Sequence, residues 1–537
     1  MPILMNRVGT FPLKPQSSSI IPIPPPITPL TPTNSIHPQI AEEKDMANLG
    51  EAKLAGKVAI EVAEQVAPKA TAEGLNLLSV AGAKIEAAAK AVISPELKAG
   101  VHIGPKDGMI EIHTSIDPQI IKARGFEAAS QTPYAKPNLA EFPQLHATQK
   151  TDTLVIGGGF TGLAVADKLA ASGIKTILVD SGRIGESTSQ FAGGMITRAG
   201  DPSFVELGEA YGETVLGQYA KGMVNAHKAV MQRATNFGSK VDFKPSDSHQ
   251  LSYNLDAVDD WMRAEHQAVA RYDNGIRIVT GKQAKAIFEP AEAVMTFRGE
   301  GQLNPLKYAK QMGAEAKHPV FENTSIVGLQ VGKPGGPITA LTADGGRIEA
   351  NRVVFATGTG GNLFRNLDHC VEGAQCFAGI AETKGVVKLL GNAFDTDGAV
   401  RNAAGIIRNR GTEGAYNYFR KPADALAIPN AESKHLMLFG GADKMLPETA
   451  ATKTTAELTQ QLQTLFPGSK MLHKWNGLLE ESKDGMPIIA QHKEVPQIFG
   501  IRGVGGSGID SSQFIANELE KVLKGGKSVL SSARFEK

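Results

Sequence analysis

The pattern of apolar and polar positions between residues 151 and 181 predicts a strand, a helix and a second strand in succession. Residues 154–156 form a short apolar run that ends at a glycine turn, and the apolar side chains after the turn recur at helical spacing. Residues 174–179 form a second apolar run, which is typical of a buried parallel strand. This order of elements predicts an α/β fold.

The turn between the first strand and the helix contains three glycines, and each has a mechanical reason to be there. Gly157 permits a tight turn, Gly159 lets the backbone approach a pyrophosphate closely, and Gly162 allows the helix to pack near the strand. The helix begins at Phe160 and Thr161, where N–H groups without helical partners would face the phosphates. The turn therefore predicts a site for an adenine dinucleotide.

Asp180 and Ser181 end the second predicted strand and belong to the same predicted site. The Asp180 carboxylate can accept hydrogen bonds from both ribose hydroxyls of a dinucleotide. Its negative charge would repel the 2′-phosphate of NADP, so NAD and FAD remain as the alternatives.

A loop rich in hydroxyl groups follows the second strand, and its side chains could lie against phosphate and ring edges. The loop residues predicted to contact the cofactor are Ser187, Thr188, Ser189, Gly193, Gly194 and Met195. The loop resembles that of the FAD-dependent oxidoreductases of the D-amino acid oxidase superfamily, in which a Gly-Ala-Ser-Gly-x-Asn-Gly-Gly type sequence carries the flavin. Gln190 and Ala192 stand where this family usually has Gly and Asn. The flavin loop, residues 187–195, contains neither His nor Cys, so we expect FAD to be held there without a covalent bond.

Later segments extend the resemblance, which covers about residues 130 to 525. Residues 352–358 end in Ala-Thr-Gly, which in this superfamily returns the chain to the FAD, and a strand over 320–329 would pass the adenine. Residues 500–509 resemble a Gly-x-x-Gly-x-Gly-Val signature whose N–H groups face the flavin pyrimidine, although Ser507 stands where relatives commonly have His. The resemblance thus implies further cofactor contacts at Ile326, Thr357, Gly358, Gly503, Gly505, Gly506, Ser507, Gly508 and Ile509.

The resemblance implies a Rossmann-like FAD-binding domain interleaved with an α+β substrate domain of mixed sheet. We expect the FAD-binding domain at 131–233, 301–365 and 446–537, and the substrate-binding domain at 234–300 and 366–445. Residues 1–40 are proline-rich and predict a disordered segment, whereas the alanine-rich residues 41–130 predict a helical extension.

Composition excludes several classes of function. The formal net charge is +1 and basic residues are dispersed, so we expect no nucleic-acid partner. The N-terminal segment has no apolar run of membrane length, and two cysteines fit a reducing, cytoplasmic compartment, with an organelle transit peptide as the alternative. Histidines lack ligand spacing, so no metal site is expected. The oligomeric state stays open.

The segment before a Leu-Phe-Gly-Gly strand contains the candidate substrate residues Tyr416, Tyr418 and Arg420. In this segment the chain resembles amine oxidases of the gamma-glutamylputrescine oxidase type. In one interpretation, the tyrosine rings enclose an amine beside the flavin, and Arg420 pairs with a substrate carboxylate. In the other, these are alternating residues of a strand, with Arg420 on the solvated side.

The resemblance implies an FAD-dependent enzyme that oxidises the C–N bond of a small amine or amino acid to an imine, with O2 as the acceptor and H2O2 as the product. Two alternatives remain. A dehydrogenase of the same fold would pass electrons to a quinone or a carrier protein, and a flavin-binding protein could have lost turnover.

Overall fold

The computed structural model describes residues 109–111, 132–134 and 139–535, apart from internal segments at 199–201, 254–261, 334, 359–363, 386–391, 396–399, 402–406, 409–416, 423–434 and 446–450. The described residues belong to one unit, 95–537, whereas a second unit, 1–94, lies outside them. The predictions for residues 1–40 and for the helical extension over 41–130 therefore fall outside the described residues, apart from residues 109–111.

The described part of the chain contains both helices and strands throughout. The helices are α1 Phe160–Ala171, α2 Phe204–Phe237, α3 Arg263–Ala270, α4 Lys282–Ile287, α5 Pro305–Glu315, α6 Ala451–Leu465 and α7 Gly508–Leu523. The strands are β1 Met109–Glu111, β2 Thr148–Ile156, β3 Thr176–Val179, β4 Met195–Ile196, β5 Lys244–Ser252, β6 Ile276–Thr280, β7 Ala293–Gln302, β8 Val320–Phe321, β9 Ile326–Val331, β10 Ile338–Thr342, β11 Arg347–Phe355, β12 Val371–Glu382, β13 Asn392–Asp395, β14 Val400–Arg401, β15 Ile407–Arg408, β16 Asn417–Arg420, β17 Leu436–Met445, β18 Lys470–Ser482, β19 Ile488–Gln491 and β20 Ile498–Arg502.

The first sheet has a parallel part in the order β8-β3-β2-β11-β20, and β19 pairs antiparallel with β20. β20 pairs only with the C-terminal half of β11, and the N-terminal half of β11 pairs with β10. From β10 the sheet continues antiparallel through β9 to β1. Residues 109–111, assigned by sequence to the extension, thus form an edge strand of this sheet. The Rossmann-like α/β fold is confirmed.

Both faces of the parallel strands are buried, which explains their continuous apolar runs. Val155 and Leu178 face a core that includes residues of α1, α2 and α7. Leu154 and Ile177 point to the opposite face, where they pack with residues of β9, β10 and β11. Alternation along each strand therefore supplies one side chain to each core in turn.

The second sheet is mixed, with the order β18-β12-β17-β16-β13-β5-β7-β4 and β6 attached to β7. Its β13 and β5 pair parallel, and its other pairs are antiparallel. The strands β4 and β18, which the sequence analysis counted with the FAD-binding domain, pair in this sheet. The division into domains stays a prediction.

Among the described residues, no helix has the length and apolar character needed to cross a membrane. In the same part of the chain, no three His, Cys, Asp or Glu side chains are grouped as metal ligands would be. Neither Cys370 nor Cys376 forms a disulfide bond.

Candidate FAD-binding site

The glycine turn lies at the C-terminal end of β2, against the end of β11. Gly157 has a φ of +111°, a left-handed conformation that favours glycine, and a Cβ there would lie 2.8 Å from the carbonyl carbon of Ala356. A Cβ on Gly162 would collide with the Gly157 carbonyl. Residues 356–357, which are far away in the sequence, therefore lie against the turn that precedes α1.

Among the described atoms, Gly358 and Gly508 have room for a Cβ, and Gly159 is close to one side chain only. Among described atoms, a Cβ on Gly159 would meet only Ser189 Oγ, at 3.1 Å, and one on Gly508 would meet only Val504, at 3.9 Å. No described atom lies within 4 Å of a Cβ placed on Gly358. Glycines closed by protein on one side and open on the other form a cradle that fits a dinucleotide backbone.

Two helices begin side by side at this cradle. Phe160, the first residue of α1, donates its N–H to Ser189 Oγ of the flavin loop at 3.1 Å. Thr161 Oγ1 lies 3.0 Å from Ser512 Oγ in the first turns of α7. Because both N-termini lie at the same place, their partial positive charges favour an anionic group such as a pyrophosphate.

Asp180 lies beside the turn, as its predicted role requires. One carboxylate oxygen accepts the Gly158 N–H at 2.6 Å and the other accepts the Gly182 N–H at 2.7 Å, which leaves acceptor capacity on each oxygen. Burial raises the pKa of the Asp180 carboxyl, whereas these two hydrogen bonds lower it. Ser181 is exposed next to it. The ribose contact stays a prediction.

A buried ion pair, which the sequence analysis missed, supports the Asp180 end of the site. Lys310 Nζ lies 2.5 Å from Glu322 Oε1, and both side chains are 2% exposed. Glu322 also accepts the N–H of Ile184 at 2.7 Å, on the segment that follows Asp180. A lysine and a glutamate twelve residues apart give no sequence signal for such a pair, because one is on α5 and the other follows β8.

The segment 320–329 is not one strand, contrary to the prediction. It divides into β8 and β9 at Asn323, which has a φ of +49°. Thr324 donates its N–H to the Asp180 carbonyl at 2.7 Å, and Ile326 is buried opposite Thr342. An adenine contact by Ile326 stays a prediction.

The flavin loop is held by donors from distant parts of the chain. Its consecutive carbonyls from 190 to 194 each accept one hydrogen bond. The donors, in that order, are Thr132 Oγ1 at 3.2 Å, Trp475 Nε1 at 2.9 Å, Tyr134 OH at 2.8 Å, Arg420 Nε at 2.8 Å and the Leu303 N–H at 2.9 Å. Thr188 in addition donates to the Leu478 carbonyl at 2.9 Å, and Met195 opens β4 opposite Gln302. Groups outside the loop thus hold its path, through hydrogen bonds to five consecutive carbonyls.

Tyr418 and Arg420 lie on the same face of β16, next to the flavin loop. The Tyr418 ring packs between Gly193 and Gly440, since a Cβ on Gly193 would lie 3.2 Å from the ring and one on Gly440 would collide with it. Arg420 is 0% exposed and also donates from Nη1 to Gln302 Oε1 at 2.7 Å. The interpretation that placed Arg420 on the solvated side is therefore wrong. Tyr416 lies outside the described residues.

The glycine run, residues 503–509, lies beside the end of β18. Gly503 and Gly505 have φ values of +61° and +75°, but their N–H groups donate to the carboxylate and the carbonyl of Glu480, at 3.0 and 2.9 Å. Arg502 holds the Glu480 carboxylate with two bonds, at 2.7 and 2.6 Å. The expectation that these two N–H groups face a flavin is corrected, because the carboxylate of Glu480 takes the first and its main-chain carbonyl takes the second. The remaining predicted contacts of the run are Gly506, Ser507, Gly508 and Ile509.

Known proteins resemble the chain over the same region. The sequence profile of the family described as FAD dependent oxidoreductase (DAO) matches residues 152–521. A probable oxidoreductase OrdL from Rhizobium meliloti is 24% identical over 73% of this chain and 87% of its own length. A glycine oxidase from Bacillus licheniformis is 24% identical over 66% of this chain and 88% of its own length. The gamma-glutamylputrescine oxidoreductase of Escherichia coli is 24% identical, but over only 28% of this chain and 36% of its own length.

The fold has solved counterparts as well. A structure of L-proline dehydrogenase from P. horikoshii superposes with a TM-score of 0.56 at 17% identity, covering 72% of this chain and 98% of that one. The family profile spans most of the chain and includes the glycine turn, the flavin loop and the glycine run, which the structure brings together. The chain therefore belongs to the D-amino acid oxidase family of FAD-dependent oxidoreductases, with FAD as its cofactor.

Proposed function

We propose that this protein oxidises the C–N bond of a small amine or amino acid to an imine, which water hydrolyses after release. Bound FAD would supply a two-electron acceptor for the C–H next to the amine nitrogen, and dioxygen would take both electrons with two protons to become hydrogen peroxide. Two of the relatives are named for compounds that contain an amine nitrogen, glycine and gamma-glutamylputrescine. These names support the substrate class and leave the particular substrate open.

The observation that carries the proposal is the position of the Tyr418 ring on Gly193, within the flavin loop. A phenol ring at this place provides an apolar wall with a polar edge, which suits an amine that binds uncharged. Behind it, Tyr134 and Trp475 pack edge to face with ring centroids 6.2 Å apart and exclude water from the same side. An amine that binds neutral already has its lone pair available, so the proposal assigns these residues to positioning and desolvation and needs no general base.

The role of Arg420 toward a substrate carboxylate stays a proposal, and it competes with the bonds that Arg420 makes in the protein. Its guanidinium is already engaged by Gly193 and Gln302. An amine without a carboxylate would not require that role. Polyamines and N-methyl amino acids are therefore both included among the substrates to be tested.

The test is anaerobic reduction of the purified yellow protein by members of a panel of polyamines, N-methyl amino acids and D-amino acids. At least one compound should bleach the flavin, and admission of air should restore the colour. Consumption of oxygen during turnover would identify an oxidase, whereas bleaching that air does not reverse would identify a dehydrogenase that uses a quinone or carrier. A protein that binds FAD but is bleached by no amine in the panel would contradict the proposal.

We further propose that FAD is bound without a covalent link and that the protein is cytoplasmic. The flavin loop offers no His or Cys for attachment, and two cysteines in 537 residues suit a reducing compartment. Acid precipitation should release all of the yellow colour into the supernatant, and cell fractionation should recover the protein in the cytosolic fraction. Colour that stays with the pellet would contradict non-covalent binding of FAD. Recovery of the protein with membranes or organelles would contradict the cytoplasmic location.

A further inference from the structure

A cluster of charged side chains is buried between the flavin loop and the N-terminus of α7. His227 of α2 lies at its centre, with Asp510 of α7, Glu300 of β7 and Arg198, which follows β4. Glu300 is 0% exposed, Asp510 1%, His227 4% and Arg198 6%. Burying so many ionisable groups is costly unless each is paired, so their mutual arrangement needs an explanation.

Both ring nitrogens of His227 face acceptors. Nδ1 lies 3.1 Å from Asp510 Oδ1, and Nε2 lies 3.3 Å from the carbonyl oxygen of Gly299. A carbonyl and an ionised carboxylate can only accept, so both contacts are hydrogen bonds only when the imidazole carries two protons. The hydrogen bond and the charge of Asp510, with the charge of Glu300, raise the pKa of His227, although burial, the largest single influence, and the charge of Arg198 lower it.

The partner of His227 connects two segments that are predicted to contact the flavin. Asp510 lies in the first turn of α7, directly after the glycine run, and its Oδ2 accepts the N–H of Thr197 at 2.9 Å. Thr197 follows the flavin loop through the short strand β4. One carboxylate thus joins segments that are 313 positions apart in the chain, and both of its oxygens are occupied.

We propose that His227, with both ring nitrogens protonated, is a positioning residue that keeps Asp510 bonded to Thr197 and so sets the spacing between the flavin loop and the N-terminus of α7. It touches neither substrate nor cofactor in this role. The inference rests on FAD binding, which the family establishes, and not on the choice of amine substrate.

The proposal predicts how the affinity for FAD changes with pH. The groups facing His227 are Asp510 from α7, Glu300 and the Gly299 carbonyl from β7, and Arg198, which is itself paired with Asp273. Because the pKa of His227 in the folded protein is raised above 6.5, its contribution is fully present below that pH and is lost as the pH rises through the folded value. FAD should therefore dissociate more readily on the alkaline side.

The test compares the full-length holoprotein with H227Q and with a matched control, H318Q. Glutamine can keep the bond to Asp510 through its amide nitrogen, but it lacks the charge, and its amide oxygen cannot donate to the Gly299 carbonyl. His318 is also buried beside a carboxylate, Asp167, but on the far part of α1. Dissociation constants come from the rise of free-flavin fluorescence on dilution, between about pH 6 and pH 9.

Wild type and H318Q should bind FAD tightly at low pH and lose affinity above the pKa of His227. H227Q should bind about tenfold more weakly at low pH, as expected for lost hydrogen bonds to a charged group, and should show no such alkaline step. Wild-type affinity together with a wild-type pH profile in H227Q would overturn the proposal.

A second measurement keeps the proposal falsifiable if H227Q fails to fold. In wild-type protein labelled with ¹⁵N-histidine, one imidazole should keep protons on both nitrogens to a higher pH than the ordinary histidine pKa of 6.5. If no histidine stays doubly protonated above that ordinary pKa, the proposal is wrong. Failure to oxidise any amine would leave both measurements unaffected, so the two proposals can fail separately.

Discussion

Gly193 and its neighbours show how much a single residue depends on partners far away in the chain. The glycine turn could be predicted because each glycine answers a local need, a left-handed φ at Gly157 or close packing at Gly162. The donors to the flavin loop could not, because Tyr134 and Trp475 lie 58 and 284 positions from the carbonyls that they bind. A buried tyrosine or tryptophan signals that its polar tip needs a partner, but not which one.

Arg420 gives the sharpest prediction at this scale. R420M removes the donors to Gly193 and Gln302, so we expect FAD affinity to fall about tenfold or more, since hydrogen bonds from a charged group are lost in the protein interior. The control R347M changes an exposed arginine at the start of β11 and should leave FAD affinity unchanged. Equilibrium titration of the apoprotein with FAD measures both.

The opposite outcome for Arg420 is equally informative. If R420M binds FAD normally and only raises KM for substrates with a carboxylate, then Arg420 is a substrate residue and its role in holding the loop is contradicted. A KM that is raised equally for amines without a carboxylate would exclude carboxylate pairing.

At the scale of elements, the first βαβ unit agreed best with sequence reasoning. The strand, helix and strand predicted over 151–181 are observed as β2, α1 and β3, because apolar periodicity and the glycine turn mark their limits. The prediction of a single strand over 320–329 was wrong, because the chain turns at Asn323. The two halves of the segment pair with different strands, β8 with β3 and β9 with β10. Pairing partners are chosen by tertiary packing, which local pattern does not encode.

The segment of α2 that precedes its kink at Gly212 begins on a buried carboxylate, and this gives a prediction for stability. Glu265 accepts the N–H groups of Phe204 and Val205, at 2.7 and 3.1 Å, and the Ser203 hydroxyl at 2.8 Å. E265A would leave these donors unsatisfied in the interior, so the free energy of unfolding should fall by about 3 kcal/mol. The control E209A removes an exposed carboxylate from the same helix. Equal denaturation midpoints for the two variants would contradict the assignment.

Glu520 joins the C-terminal ends of α1 and α7 and predicts a pH dependence. Hydrogen bonds from Lys524, Ser172 and Lys168 lower the pKa of Glu520 from 4.5 to about 2. A lowered carboxyl pKa contributes stability that is present above pH 4.5 and is lost as the pH falls toward about 2. E520Q should therefore be less stable by about 1 kcal/mol at neutral pH, as for a partly buried pair.

The test of Glu520 is how the stability difference between wild type and E520Q changes as the pH falls. Chemical denaturation of wild type and E520Q should give free energies of unfolding that converge as the pH approaches 2. E494Q, which changes an exposed carboxylate, should follow wild type throughout. A difference between wild type and E520Q that persists unchanged in acid would show that the loss is not electrostatic.

At the scale of the whole molecule, the FAD site draws on widely separated segments of the unit 95–537. Resemblance to a family predicted which segments would meet, whereas the residues alone predicted only the first βαβ unit. The order of strands in the second sheet had no sequence signal, because its neighbours, such as β13 and β5, are about 150 positions apart.

One prediction follows for the N-terminal part of the chain. Every described residue assigned to the FAD site lies in the unit 95–537, and the edge strand β1 begins at Met109. A protein that starts at residue 95 should therefore bind FAD with the stoichiometry and affinity of the full chain, as measured by absorbance and by titration of the apoprotein. A colourless or unfolded product would show that residues 1–94 contribute to the site.

The most direct test of the central claim is a crystal structure of the protein with FAD bound. In that structure the pyrophosphate should lie at Gly157–Gly159 and the N-terminus of α1, Asp180 should hold the ribose, and the isoalloxazine should lie between the flavin loop and residues 506–509. An FAD placed elsewhere, or an isoalloxazine that contacts neither the flavin loop nor the N-terminus of α7, would contradict it.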